Sequence, residues 1–581
     1  MSKTSLFDKT LYKKNITGCW PLWVISSFFF ATIAASLFVN RIGGLDTALS
    51  YESLIRDITF SNAPLAFIYA LICAYYVWKY LFTTKSINFI HSLPISRKSL
   101  YITGIVSGLT IMLIPYIVAW AILFWAGVSF GASAEVMLFS MLIMLCEEII
   151  FFAIATFCAM STGSKVAMPV LYFILNVLVA AMEDLVSQYA RAFVYGVSSY
   201  TPRFYYASPI VALLSDMDIY SEDVEFQCLT GSKLAYIYAA VGIVILVVTY
   251  FIYKNRKSET AESVIALPAF KPIFRYGVAV CSALYFGRAI YSIFSGDFFE
   301  ALFFGTVRFS FIPSLICVLF AGLVGYYVAS MLLEKSFKVF NKKHLPGAVI
   351  VAAVCVLFIC ALKFDVFGAA KRVPEANEVK NVVVYSQSNS VKLESGTDDA
   401  YIAQIIGIHQ AIVDKGVNPD ESVYNYIYEF SMEYTLDSGE IIRRTYPVVN
   451  EGHYENGKLI KEFFTAPEIQ KRAIFPAEGD VALEHFELWY GGEYYSYNNS
   501  IAMEKLQEAI LADIDAGAYM LDNQNAGGYE LDLSFENKKS GLNQFVWLYI
   551  NEDMTNTHNF LMERIAGGPE KYDEADLVYA Q

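Results

Sequence analysis

Charge is what this sequence has least of. Lys, Arg, Asp and Glu make up 17% of the 581 residues against 56% hydrophobic. A mean hydropathy of +0.43 over that length excludes a purely soluble fold and requires several membrane spans. Cysteine is absent beyond Cys360, so the long C-terminal part is no disulfide scaffold, which favours a bacterial surface over a eukaryotic one. The six histidines, His91, His344, His409, His453, His485 and His558, lack metal-ligand spacing, and neither H-E-x-x-H nor C-x-x-C occurs. His485, between Glu484 and Glu487, comes nearest to a cluster and reads as an inert strand residue. The phosphate loop is missing too, since Gly163-Ser164-Lys165 has no glycine at the required distance before it. On these grounds the chain is expected to be no enzyme and to hold no nucleotide or metal itself. A net charge of -14 argues against nucleic-acid binding.

What is present is a succession of apolar runs, at 18–40, 62–82, 100–126, 136–160, 166–186, 234–253, 276–294, 308–333 and 347–363. Each is long enough to cross a bilayer. The run after Lys3, Lys9, Lys13 and Lys14 has no A-x-A-like cleavage site and reads as a permanent first helix. Lys and Arg crowd alternate loops, which places the N-terminus in the cytoplasm. Nine spans then leave the tail after Phe364 outside the cell. The expected fold is a polytopic α-helical membrane protein of about nine spans with a C-terminal extracytoplasmic α+β domain. Its parts are a six-span block (1–257), a linker with three further spans (258–364) and the outer domain (365–581).

Between the second and third runs, Ser86 to Leu93 reads as a short amphipathic helix, with Ile87, Ile90 and Leu93 on one face. Pro94 ends it, Ser96 is an N-cap and Arg97-Lys98 open the next span. Such a helix is either a lever for a soluble partner or a plain interhelical loop. The segment His91-Ser92-Leu93-Pro94-Ile95-Ser96-Arg97-Lys98 resembles the SLPxSR elbow of type-2 ABC exporter permeases, especially the Ytr-type permeases of Gram-positive bacteria. Tyr253 to Glu262, followed by Lys271-Pro272-Ile273-Phe274, is similar to the family's YxxRxxExAG and KPIF segments, with Glu262 where a glycine is often found. Tyr205 to Pro209 is similar to its SP segment, and Val373–Val379, Ile408–Ile412 and Tyr434–Gly439 are similar to its C-terminal domain. The basic residues around Lys254 to Arg275 also suit anchoring to anionic lipid headgroups.

The resemblance implies a permease powered by a separate ABC ATPase subunit, which carries the ATP and Mg, and paired with a second permease, a like copy or a sister. In the family the elbow sits near the ATPase. This puts the coupling site at Ser86, Ile87, Phe89, Ile90, His91, Ser92, Leu93, Pro94, Ser96 and Arg97, with a further contact at Lys9 to Asn15. Within the spans, Glu147 and Glu148 contact a cation, bind a proton, pair with Arg288 or make a structural interhelical hydrogen bond. Asn176 reads as helix glue. The tail shows strands at Val379–Ser386, Phe430–Leu436, Ile441–Val448, Ala482–Tyr490, Glu493–Tyr497, Tyr529–Phe535 and Gln544–Ile550. Helices are expected at Asp399–Lys415, Ile501–Asp515 and Asn556–Ile565, and no internal repeat is visible. The expected function is ATP-driven export of a hydrophobic or amphiphilic compound, peptide or antibiotic from a bacterial cell membrane. The alternative is a surface sensor whose outer domain binds a peptide or cell-wall ligand.

Overall fold

The computed structural model describes residues 6–24, 26–28, 32, 48–129, 134–197, 204–216, 232–296, 310–386, 389–415, 427–449, 455–475, 481–490, 493–497, 500–518, 528–537 and 543–566. The chain divides into two compact units. The first comprises Met1–Tyr189, Pro202–Tyr220 and Val224–Cys360, and the second Ala190–Thr201, Ser221–Asp223 and Ala361–Gln581.

The first unit is helical. Its helices are α1 (Lys9–Gly18), α2 (Ala48–Trp78), α3 (Thr84–Ser92), α4 (Arg97–Ser129), α5 (Ala134–Ser161), α6 (Ala167–Phe193, whose last turn belongs to the second unit), α7 (Pro209–Asp216), α8 (Ser232–Asn255), α9 (Phe270–Ser295), α10 (Phe311–Glu334) and α11 (Leu345–Lys363). Among the described residues eight helices are long and apolar enough to cross a membrane, the segments 62–82, 97–125, 137–161, 167–193, 233–255, 270–295, 311–334 and 345–363. The first expected run, 18–40, falls largely outside the described residues. Outward stripes fit a lipid surround: Val241, Val244, Val248 and Phe251 of α8 stand exposed at helical spacing.

Small residues set the closest packing. Ala279, Ala283 and Gly287 of α9 lie buried against Val318, Ala321 and Gly322 of α10. A Cβ at Gly287 would stand 2.9 Å from the Val318 backbone, so the two helices pass at a distance only glycine allows. Ser282 Oγ donates to Ala321 O at 2.9 Å across the same seam.

The second unit is α+β. It contains β1 (Val379–Ser386), β2 (Asn389–Glu394), α12 (Asp399–Lys415), β3 (Ile427–Leu436), β4 (Ile441–Val449), α13 (Glu455–Thr465), α14 (Pro467–Ile474), β5 (Val481–Tyr490), β6 (Glu493–Tyr497), α15 (Ser500–Asp515), β7 (Tyr529–Asn537), β8 (Asn543–Ile550) and α16 (Thr555–Ala566). Strand β2 and helices α13 and α14 were not expected from the sequence, and the Gly491-Gly492 turn lies outside the described residues.

The strands form two antiparallel sheets of identical topology, β2-β1-β3-β4 and β6-β5-β7-β8. This corrects the expectation of no internal repeat: the domain is two copies of a ββαββ unit. The correspondence reaches single residues. Leu393, Val382, Tyr434 and Ile442 sit side by side across the first sheet. Tyr497, Phe486, Leu533 and Val546 do the same across the second. Each sheet carries a bulge at the same place, leaving Lys380 or Glu484 as the extra residue two positions before Val382 or Phe486. Both inner faces contribute to one buried core with α12 to α16.

Candidate functional site at the elbow and within the bundle

Helix α3 forms because Ser86 to Ser92 offers one apolar side. Ile87 is fully buried, Ile90 and Leu93 are half-buried, and Phe89 points outward, 61% exposed. Leu93 takes φ -69° and ψ 148°, the extended conformation that the ring of Pro94 imposes on its predecessor. Ser96 Oγ then accepts from Ser99 N at 3.1 Å, so the expected N-cap is in place and α4 begins at Arg97. Lys85, Asn88, Ser92 and Pro94 are exposed beside Phe89.

This short helix is tied to a segment more than 150 residues away. Arg97 Nη1 donates to Lys254 O at 3.0 Å and to Arg256 O at 2.8 Å, just past the end of α8. His91 Nδ1 lies 3.1 Å from Ser258 Oγ, and Thr84 Oγ1 donates to Glu262 Oε1 at 3.1 Å. Burial, and then the charges of Arg97 and Arg256, hold the His91 imidazole below its ordinary value, so it is neutral at neutral pH.

Beneath α3 lies Arg256, one of the basic residues whose sequence position suits a lipid anchor. Arg256 is buried, and it donates to Ala159 O at 2.8 Å and Met160 O at 3.2 Å from Nη1 and to Leu81 O at 3.3 Å from Nη2. It neutralises the carbonyl end of α5 and the turn after α2. Burial pulls it down to about 10, which leaves it charged. Around it Tyr80 and Tyr253 share a hydroxyl contact of 3.0 Å, and Trp78 stacks on Tyr101 with ring centroids 5.7 Å apart. The ends of α2, α5 and α8 and the start of α4 therefore meet in one knot under the elbow. Its signal in the sequence was Arg256 itself, directly after an apolar run.

The linker crosses the turn after α5 at close range. Gly163 N donates to Ser263 O at 2.9 Å and Glu262 N to Gly163 O at 2.8 Å. A Cβ at Gly163 would meet the backbone of Thr260 to Glu262. Glu262 has φ +67°, the left-handed conformation that glycine adopts without strain. A glycine geometry is thus held at a position where this chain carries a glutamate.

The N-terminal α1 runs along α4. Asp8 caps it through Leu11 N at 2.8 Å and takes Thr103 Oγ1 at 3.0 Å through its own backbone N–H, while Asn15 Nδ2 donates to Ser107 Oγ at 3.2 Å. Lys9, Lys13 and Lys14 stay exposed.

Inside the bundle, Glu147 and Glu148 of α5 are both buried. Glu147 Oε2 accepts from Asn62 Nδ2 of α2 at 2.8 Å, a partner the sequence reading missed. Glu147 Oε1 and Glu148 Oε2 have no hydrogen-bond partner among the described residues. Asn176 donates at 2.9 Å to Tyr172 O of its own helix, so the expected bridge between helices is supplied instead by Tyr172, whose hydroxyl donates to Phe67 O at 2.9 Å. No group of three or more His, Cys, Asp or Glu that could hold a metal occurs among the described residues.

These features define a class: a chain with eight helices able to cross a membrane among its described residues, a bonded surface elbow and an α+β domain of duplicated design. No protein-family model, curated protein or solved structure matches the chain.

Proposed function

We propose that this chain is the transmembrane permease subunit of an ATP-driven type-2 exporter in a bacterial cell membrane. An ABC ATPase would dock at α3 and bring the ATP and Mg, a second permease would complete the path, and the C-terminal domain would lie outside. The observation that carries this reading is the construction of the elbow. A helix that merely closed a loop would need no clamp, whereas α3 is bonded through His91 and Thr84 to the linker after α8, the adjoining start of α4 is bonded through Arg97 to the end of α8, and Phe89 remains exposed. Movement imposed on α3 is therefore passed to the ends of four helices together. The less exposed of these hydrogen bonds each contribute about 1 kcal/mol and act in concert.

The test is purification of the tagged chain in mild detergent with mass spectrometry of co-purifying proteins. The expected result is a Walker-motif ATPase that disappears with Phe89→Asp at unchanged expression, because Phe89 is 61% exposed and outside the buried core. If no ATPase is recovered in several detergents, the permease reading is wrong. A surface sensor is the second reading, and the exposed aromatic face of the second sheet favours it.

A further inference from the structure

The two copies of the ββαββ unit differ most on their solvent faces. In the first sheet one row reads Lys392, Val383, Glu433, Arg443. Its charges are matched: Arg443 Nε and Nη2 reach the two Glu433 oxygens at 2.6 and 3.1 Å, and Lys392 pairs with Glu394 at 3.0 Å. The same row in the second sheet reads Ser496, Glu487, Asp532, Trp547. Glu487 and Asp532 stand directly opposite each other, an arrangement that costs stability in a sheet. The place of the neutralising arginine is taken by an indole. Asp532 Oδ1 is buried without a hydrogen-bond partner among the described residues. Burial and then Glu530 and Glu487 raise its carboxyl above the ordinary value.

Aromatic rings frame these acids. Trp489 is 60% exposed, Tyr494 55%, Phe545 55% and Trp547 49%. Trp489 and Tyr494 are cross-strand partners with centroids 6.3 Å apart. No lysine or arginine stands at any described position of this face. His485, 3.7 Å from Glu487, is the one titratable nitrogen among the described positions of this face. An exposed patch of this kind on an otherwise well-paired sheet marks an interaction site. Carboxylates beside open ring faces suit ammonium and guanidinium groups, which gain both an ion pair and a ring contact.

We propose that the solvent face of the second sheet, centred on Glu487, Asp532, Trp547 and Trp489, is a docking surface for lysine- and arginine-rich peptide segments. Tyr494 belongs to the face and Tyr497 to the core. The proposal depends on this domain alone and stands or falls apart from the permease reading.

The test uses the full chain in a neutral detergent and a fluorescein-labelled octa-arginine peptide followed by anisotropy. Saturable binding is expected, about tenfold weaker with Asp532→Asn, Glu487→Gln or Trp547→Ala. Trp547→Phe should retain most of the affinity, and the charge-matched change Glu433→Gln on the first sheet should leave it unaltered. All these side chains are at least partly exposed, so the variants are expected to fold, which circular dichroism checks. The proposal is overturned if Glu433→Gln weakens binding as much as Asp532→Asn, which would indicate general attraction to an acidic protein. It is equally overturned if Trp547→Ala and Asp532→Asn bind like the parent. Preferential binding of a neutral chitohexaose, unaffected by Asp532→Asn, would make the face a sugar platform and overturn it as well.

Discussion

At the scale of single residues, Arg256 decides more than its place in the sequence announces. Three carbonyls, those of Leu81, Ala159 and Met160, have this one guanidinium as donor. Replacing it with Met, of similar length and no charge, leaves them buried and unpaired, at a cost of about 3 kcal/mol or more. Thermal unfolding of the purified protein in detergent should show a large drop for Arg256→Met. Arg256→Lys should fall between, because an ammonium carries the charge without the fork that reaches two chain ends. The sequence made the cation visible but not its task. Basic residues after an apolar run ordinarily face headgroups, and only the fold brings the carbonyls of residues 81 and 159 to the same point. Asn62 and Glu147 illustrate the same limit: a polar residue in an apolar run is legible, whereas its partner 85 positions away is not.

At the scale of elements, local rules served well. The elbow helix, its proline stop and the Ser96 cap depend on neighbours within four residues, and so do β1, α12 and the hairpin of β3 and β4. Strand β2 was missed because Asn389 to Glu394 shows just two apolar residues in alternation, Val391 and Leu393. Helices α13 and α14 carried a usable signal in Ile460, Phe463, Phe464, Ile469, Ala473 and Ile474, all buried, and Pro467 at the first turn of α14. The linker turn makes a prediction of its own. Glu262 holds a left-handed conformation that costs a residue with a side chain about 1 kcal/mol, and its contact with Thr84 is solvent-exposed and contributes little. Glu262→Gly should therefore raise the unfolding temperature, while Glu262→Ala, which keeps the strain and loses the contact, should lower it. Differential scanning fluorimetry distinguishes the two.

At the scale of the whole molecule, the duplication escaped the sequence because equivalent positions hold different residues: Val382 against Phe486, Met432 against Leu531, Arg444 against Leu548. Folds repeat backbone geometry, and many side-chain sets satisfy one geometry. The first copy buries a polar group that the second lacks. His409 Nε2 lies 3.0 Å from the Tyr446 hydroxyl, its ring stacks on Tyr434, and Arg444 stands nearby. Burial, aided by the Arg444 charge, holds this imidazole down at about 4, against 6.5 in the free side chain. The unfolded chain therefore takes up the proton first. Stability is intact above pH 6.5 and declines as the pH falls toward 4, by about 3 kcal/mol through this residue. His409→Leu should flatten that part of the pH profile of thermal stability. An unchanged slope would assign the acid sensitivity to other groups.

Two backbones of the same topology, bulged at the same position, also present each newly made strand with two templates of equal shape. Hydrogen bonding alone does not tell β1 from β5. Side-chain size does differ: the central strand carries Val382 beside Leu393 in the first sheet and Phe486 beside Tyr497 in the second. Exchange of strands between the halves is the characteristic misfolding route of repeated units, and unequal side chains at equivalent positions are the feature that opposes it.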